Sequence, residues 1–134
     1  MKKFDIFSSN LEVLKRAGQE DIDNEFIISG IIDKFFIQFE LSWKVLKELL
    51  RYEGSREARS GSPREILKAA YSVYDFINED VWIEMLKSRN DMTHIYDGEA
   101  AKRLVNIILQ KYIPEFLRMQ KGILERYGDI LQQL

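Results

Sequence analysis

Glu25 to Tyr52 reads EFIISGIIDKFFIQFELSWKVLKELLRY. Ile28, Ile32, Phe35, Phe39, Leu46 and Leu50 recur at the helical period and mark one apolar stripe. Ile27, Ile31, Leu41, Val45 and Leu49 mark a second. Two stripes leave too little polar surface for a helix with a single buried face, so the segment is predicted to pack on neighbours from two sides. That makes it a central bundle helix, a dimer interface, or both. Asn24 or Asp23 serves as N-cap, with Glu25 near the positive end of the helix. Gly30 lies inside the pattern, costs roughly 1 kcal/mol relative to alanine, and permits close helix approach.

The flanking segments carry the same period. Phe4, Phe7, Leu11 and Leu14 predict a helix from Phe4 to Arg16, ended by Gly18 and the acidic run Glu20, Asp21, Asp23. After the long helix, Gly54 to Ser62 (GSREARSGS) is small and polar and reads as a surface loop. Ser62-Pro63-Arg64-Glu65 then starts a third helix: Ser62 as N-cap, Pro63 in the first turn, Glu65 completing a capping box. It runs to about Phe76 with Ile66, Leu67, Ala70, Val73 and Tyr74 inward. Asn78-Glu79-Asp80 recaps the chain for a fourth helix from about Val81, which turns Val81, Trp82, Met85 and Leu86 to one side. Asp97 caps a fifth, starting near Glu99 and burying Ala101, Leu104, Val105, Ile108 and Leu109. Pro114 lacks a backbone donor, so that helix must kink or restart there. Ile113, Phe116, Leu117, Met119 and Leu124 continue the pattern to about Tyr127, and Gly128 is the C-cap. The expected architecture is all-α: an antiparallel up-and-down bundle of four main helices plus a shorter one, forming a dimer.

The 134 residues make one domain, spanning 1–134. A net charge of −2 gives no global attraction to nucleic acid or to anionic membrane. The chain has no cysteine, which removes disulfides, thiolate nucleophiles and cysteine-held metals. Its single histidine, His94, rules out a histidine-rich metal site within one chain, although symmetry could bring two copies together; no metal and no cofactor are expected. MKKFDIFSSN lacks the apolar run of a signal peptide, and no stretch approaches a membrane span, so a cytoplasmic protein is expected.

One segment departs from helix packing. Trp82 to Asp97, WIEMLKSRNDMTHIYD, carries Arg89, His94 and Tyr96, with Asn90, Asp91, Thr93 and Asp97 around them. Successive residues of an unbroken helix turn by about 100°, so Arg89 and His94 would lie roughly 140° apart. Arg89 aligns instead with Thr93 and Tyr96, and Asn90 with His94 and Asp97. Arg89 and His94 meet only if the helix distorts near Asp91 to Thr93, or if a second copy of the chain brings its own pair across. Such a cleft has specific chemistry. A neutral imidazole takes a proton from a ribose 2′-hydroxyl, and a guanidinium stabilises charge on a phosphate. The pair suits metal-independent RNA cleavage or the binding of a nucleotide phosphate, with Tyr96 stacking on a base or accepting a group on its hydroxyl. The competing reading is an inert helix end in which His94 is hydrogen-bonded to Asn90 or Asp97.

Glu40 and Lys44 stand four apart on the long helix. As an exposed pair they contribute only about 0.3–0.5 kcal/mol. Glu40 lies between Phe39 and Leu41, and the alternative is that it pairs with Arg89 and orients it. Trp43 and Trp82 read as packing residues. Arg51, Arg56, Arg59, Arg64 and Lys68 are interrupted by Glu53, Glu57 and Glu65 and read as solvated surface rather than as an RNA-binding stripe.

Three blocks in order, FELSWK (Phe39 to Lys44), SPREILKAAY (Ser62 to Tyr71) and WIEMLKSRNDMTHIYD, resemble the nucleotidyltransferase substrate-binding proteins of the HEPN superfamily. The likeness runs from about Phe35 to Tyr112. The last block matches that superfamily's arginine, four residues, histidine pattern at Arg89 and His94, with a tyrosine two residues on at Tyr96. The resemblance implies a homodimer whose two Arg–His pairs line one cleft. It also implies a separately encoded, minimal nucleotidyltransferase as partner, in an arrangement like a toxin–antitoxin module. Arg89 and His94 would be the catalytic or phosphate-binding pair, Asn90 the polar residue after the arginine, and Tyr96 a site for nucleotide addition. Two readings follow: a substrate-binding partner subunit that takes a nucleotide or the transferase, or a metal-independent ribonuclease toxin acting on RNA and restrained by the transferase.

Overall fold

Capping residues set the helix boundaries. The computed structural model describes residues 1–134. Asn24 accepts hydrogen bonds from the amides of Phe26 and Ile27 and opens α2, Glu25–Tyr52. Ser62 accepts from the Glu65 amide and opens α3, Pro63–Val73, with Pro63 in the first turn. Asn78 opens α4, Glu79–Asn90, and Asp97 opens α6, Gly98–Ile107. Each cap satisfies amides that the first helical turn leaves without partners. α1 spans Lys2–Leu14 and buries Phe4, Phe7, Leu11 and Leu14, the four residues that its period predicts. A single-turn α5, Thr93–Tyr96, sits between α4 and α6.

These helices form an all-α antiparallel bundle around α2, which touches α1, α3, α4 and α6. Both predicted stripes of α2 are used: Ile28, Ile31, Ile32, Phe35, Phe39, Val45, Leu46, Leu49 and Leu50 are buried. At its centre Phe35 stacks on Tyr112 at 5.1 Å and Trp82 meets Phe116 edge-on at 5.5 Å. Fully burying one such side chain stabilises the fold by roughly 1.5–3 kcal/mol, and the aromatic cluster gives the middle of the bundle a rigid floor.

Three features differ from the sequence reading. α3 ends at Val73 rather than near Phe76, because Tyr74 turns extended, and Val73 faces solvent while Tyr74 is buried. Before Pro114 the helix widens into a π-turn over Ile108–Tyr112, then resumes as α7, Ile113–Tyr127. The missing proline donor is absorbed by this re-registration instead of a break. Finally, Gln38 is fully buried. Its amide nitrogen donates to the Phe7 carbonyl at 3.1 Å, and its amide oxygen accepts from Asn10 at 2.7 Å, locking α1 to α2.

α7 approaches the α3–α4 connection closely. A Cβ at Gly122 would stand 2.2 Å from Cδ2 of Phe76, so only glycine fits there. No helix is long and apolar enough to cross a membrane.

Candidate functional site

The helical run from Trp82 ends at Asn90. Asp91 is extended (φ −84, ψ 118), and its carboxylate accepts from both the Thr93 amide at 2.9 Å and the Thr93 hydroxyl at 2.6 Å. Those local bonds compete with helix continuation and turn the chain into α5. They also hold the Asp91 carboxyl below its ordinary range: the hydroxyl bond has the largest effect, then the amide bond, with His94 adding to them. The helix is thus interrupted within the Asp91 to Thr93 stretch, one of the two routes by which Arg89 and His94 can approach.

After this turn both residues lie against one face of α2. The Arg89 guanidinium forms an ion pair with Glu40. The His94 ring sits edge-on to Phe36, with ring centres 5.3 Å apart. Phe36 and Glu40 are four residues apart, one turn of α2 or about 6 Å along its axis. No hydrogen bond joins Arg89 to His94; α2 is what brings them side by side. Glu40 is itself held, because the Trp43 indole donates to its second oxygen at 3.0 Å. Trp43 is thus half-buried packing and a positioning group at once, a role that its residue type alone did not reveal.

The other expected residues are placed differently. Lys44 makes no ion pair with Glu40; its ammonium lies over the Trp43 ring at 5.9 Å. Asn90 is exposed at the end of α4. Tyr96 is 87% exposed and stands beyond the His94 cleft. Met92 and Ile95 are also exposed, so α5 shows an apolar surface to solvent.

His94 opens into a cleft of about 220 Å3 lined by Ser88, Asp91, Thr93, His94, Ala100, Arg103, Leu104 and Ile107. It makes no hydrogen bond to Asn90 or Asp97, and one Asp97 oxygen accepts from the Glu99 and Ala100 amides. The hydrogen bonds expected for His94 at a helix end are therefore not the ones that form. Ser88 links the cleft to the core through Tyr112, hydroxyl to hydroxyl at 3.0 Å. Burial pushes the Tyr112 phenol up to about 12, so it remains a neutral partner there. Arg103 escaped the sequence reading. It sits on the outer side of α6, and only the α5 turn brings His94 to it.

The architecture places the chain in the class of all-α helical bundles. The family described as nucleotidyltransferase substrate binding protein like matches residues 2–125. The chain belongs to that family, consistent with placement in the HEPN superfamily. Membership puts it on the substrate-binding side of nucleotidyltransferase systems, as the partner of a transferase. A comparison with curated proteins found no match.

Proposed function

We propose that this chain is the substrate-binding partner subunit of a two-component nucleotidyltransferase system, and that it acts as a homodimer. The face carrying Arg89, His94 and Tyr96, doubled by a second copy, forms the cleft that takes a nucleotide or the transferase. The observation that carries this reading is the joint placement of Arg89 and His94 on one face of α2, in a chain of this family. The exposed Met92, Ile95 and Tyr96 beside the cleft support it, since apolar side chains grouped on one surface suit a contact with another chain. Two tests apply. Sedimentation of the chain alone should give about twice the 15.9 kDa protomer mass. Mixed with a minimal nucleotidyltransferase encoded beside it, the chain should elute as one larger species at micromolar concentration. Separate elution overturns the reading.

The helix break also favours a second reading, a metal-independent ribonuclease, because it supplies the imidazole and guanidinium that RNA cleavage uses. The Glu40 partner of Arg89 weighs against it by neutralising the charge that a phosphate would meet. Under the ribonuclease reading, expression without the partner arrests growth and His94→Ala relieves the arrest. Equal growth of wild type and variant removes that reading.

A further inference from the structure

We infer that Arg103 is the phosphate-binding residue of the His94 cleft, and that the ligand is the phosphate chain of a free nucleotide. This deepens the partner-subunit reading and rests on it.

The cations near the cleft differ in one respect. Arg89 is neutralised by Glu40, which Trp43 holds in place. Lys102, beside Arg103 on α6, lies 3.9 Å from Asp23. Arg103 is exposed, lines the cleft with His94, and forms no ion pair. A guanidinium is a forked donor suited to phosphate oxygens, and an unpaired one loses no competing partner on binding. The single carboxylate in the lining, Asp91, has one oxygen occupied by two bonds from Thr93. His94 lines the same space, and its imidazole forms no hydrogen bond.

Size selects the part of the ligand that enters. A cleft of about 220 Å3 is smaller than the roughly 300–1,000 Å3 that encloses a whole small molecule. Phosphoryl groups fit inside it, while the ribose and base remain outside. Ala100, Leu104 and Ile107 form its apolar wall, and Asp91 is its one carboxylate.

The lone histidine makes the test direct, because its imidazole gives one assignable NMR signal. Titrating the full chain with ATP, and separately with inorganic tripolyphosphate, should shift that signal saturably. Arg103→Ala should weaken both at least about tenfold, Arg103→Lys should restore part of the loss, and Lys102→Ala should change binding by less than about twofold. Lys102→Ala removes the same charge next door, so it separates a specific contact from general attraction. Three results overturn the inference: no shift in the wild type at millimolar ATP, equal affinity in Arg103→Ala, or a shift produced by a short single-stranded RNA and not by ATP. Co-elution of Arg103→Ala with the transferase distinguishes the two claims. If it persists while ATP binding is unaffected by the substitution, this inference fails and the partner reading stands.

Discussion

Arg89 and His94, five residues apart in sequence, contact α2 one turn apart, through Glu40 and Phe36. A continuous helix would have sent them to different sides. The extended Asp91, bonded to Thr93, is what lets one face of α2 receive both.

The Glu40–Arg89 pair should therefore be measurable as coupling. Glu40→Ala is expected to cost about 1 kcal/mol, since it leaves a half-buried guanidinium without its partner and removes the acceptor of the Trp43 indole. That corresponds to a fall of about 3–5 °C in Tm. A double-mutant cycle with Arg89→Ala should return a coupling of about 0.5–1 kcal/mol. Strict additivity would show that the pair contributes nothing.

Gln38 gives a larger effect. Gln38→Leu keeps the volume but removes the buried donor to the Phe7 carbonyl and one of the two acceptors of the Asn10 amide, which also donates to the Lys34 carbonyl at 3.1 Å. The expected loss is about 1–3 kcal/mol in urea denaturation. A neutral or stabilised variant would mean that water reaches these groups.

Gly122→Ala should destabilise by about 1–3 kcal/mol, because the new methyl would overlap the buried Phe76 ring. Phe76→Leu in the same chain should recover part of that loss in thermal denaturation. Equal stability of Gly122→Ala and wild type would show that the backbone yields at no cost.

These effects also mark what the residue pattern could and could not reveal. The buried residues of α1 and the caps Asn24 and Ser62 follow from local chemistry, and the structure contains them; a bend near Asp91 is one of two ways for Arg89 and His94 to meet, beside a second copy of the chain, and the helix does end there. Gln38 looked like a polar residue on a helix because its partners, Phe7 and Asn10, are on another helix. Val73 fits the period of α3 but falls at its last turn, where Tyr74 takes the inward position. Arg103 is indistinguishable from any surface arginine until α5 swings His94 toward it. Trp43 as the holder of Glu40 was hidden because Glu40–Lys44 is the more obvious local pair, while Arg89 approaches from forty-nine residues away. Local period and capping are readable along the chain, whereas contacts between helices need the fold.

Stability should decline in alkali. The Tyr112 phenol titrates at about 12 in the folded chain because of burial, against about 10 when unfolded. Between those values the native state holds a proton that the unfolded state has lost, so stability falls as pH rises from about 10 and the contribution is gone above about 12. Tyr74 and Tyr127 are raised by burial too and act in the same direction. Urea midpoints from pH 9 to pH 11 should fall, and less steeply in Tyr112→Phe. A flat profile would contradict the buried neutral phenol.

The most direct measurement of the central claim is amide hydrogen exchange on the chain alone and in the presence of its transferase and ATP. If the Arg89–His94 face is where the protein meets its partner and substrate, protection should rise over Asp91–Asp97 and the facing end of α6, and remain unchanged in the α2–α3 connection at Gly54 to Ser62, which lies about 21 Å along α2 from Glu40. Protection confined to that distant connection, or no change anywhere under conditions where the two proteins co-elute, would contradict it.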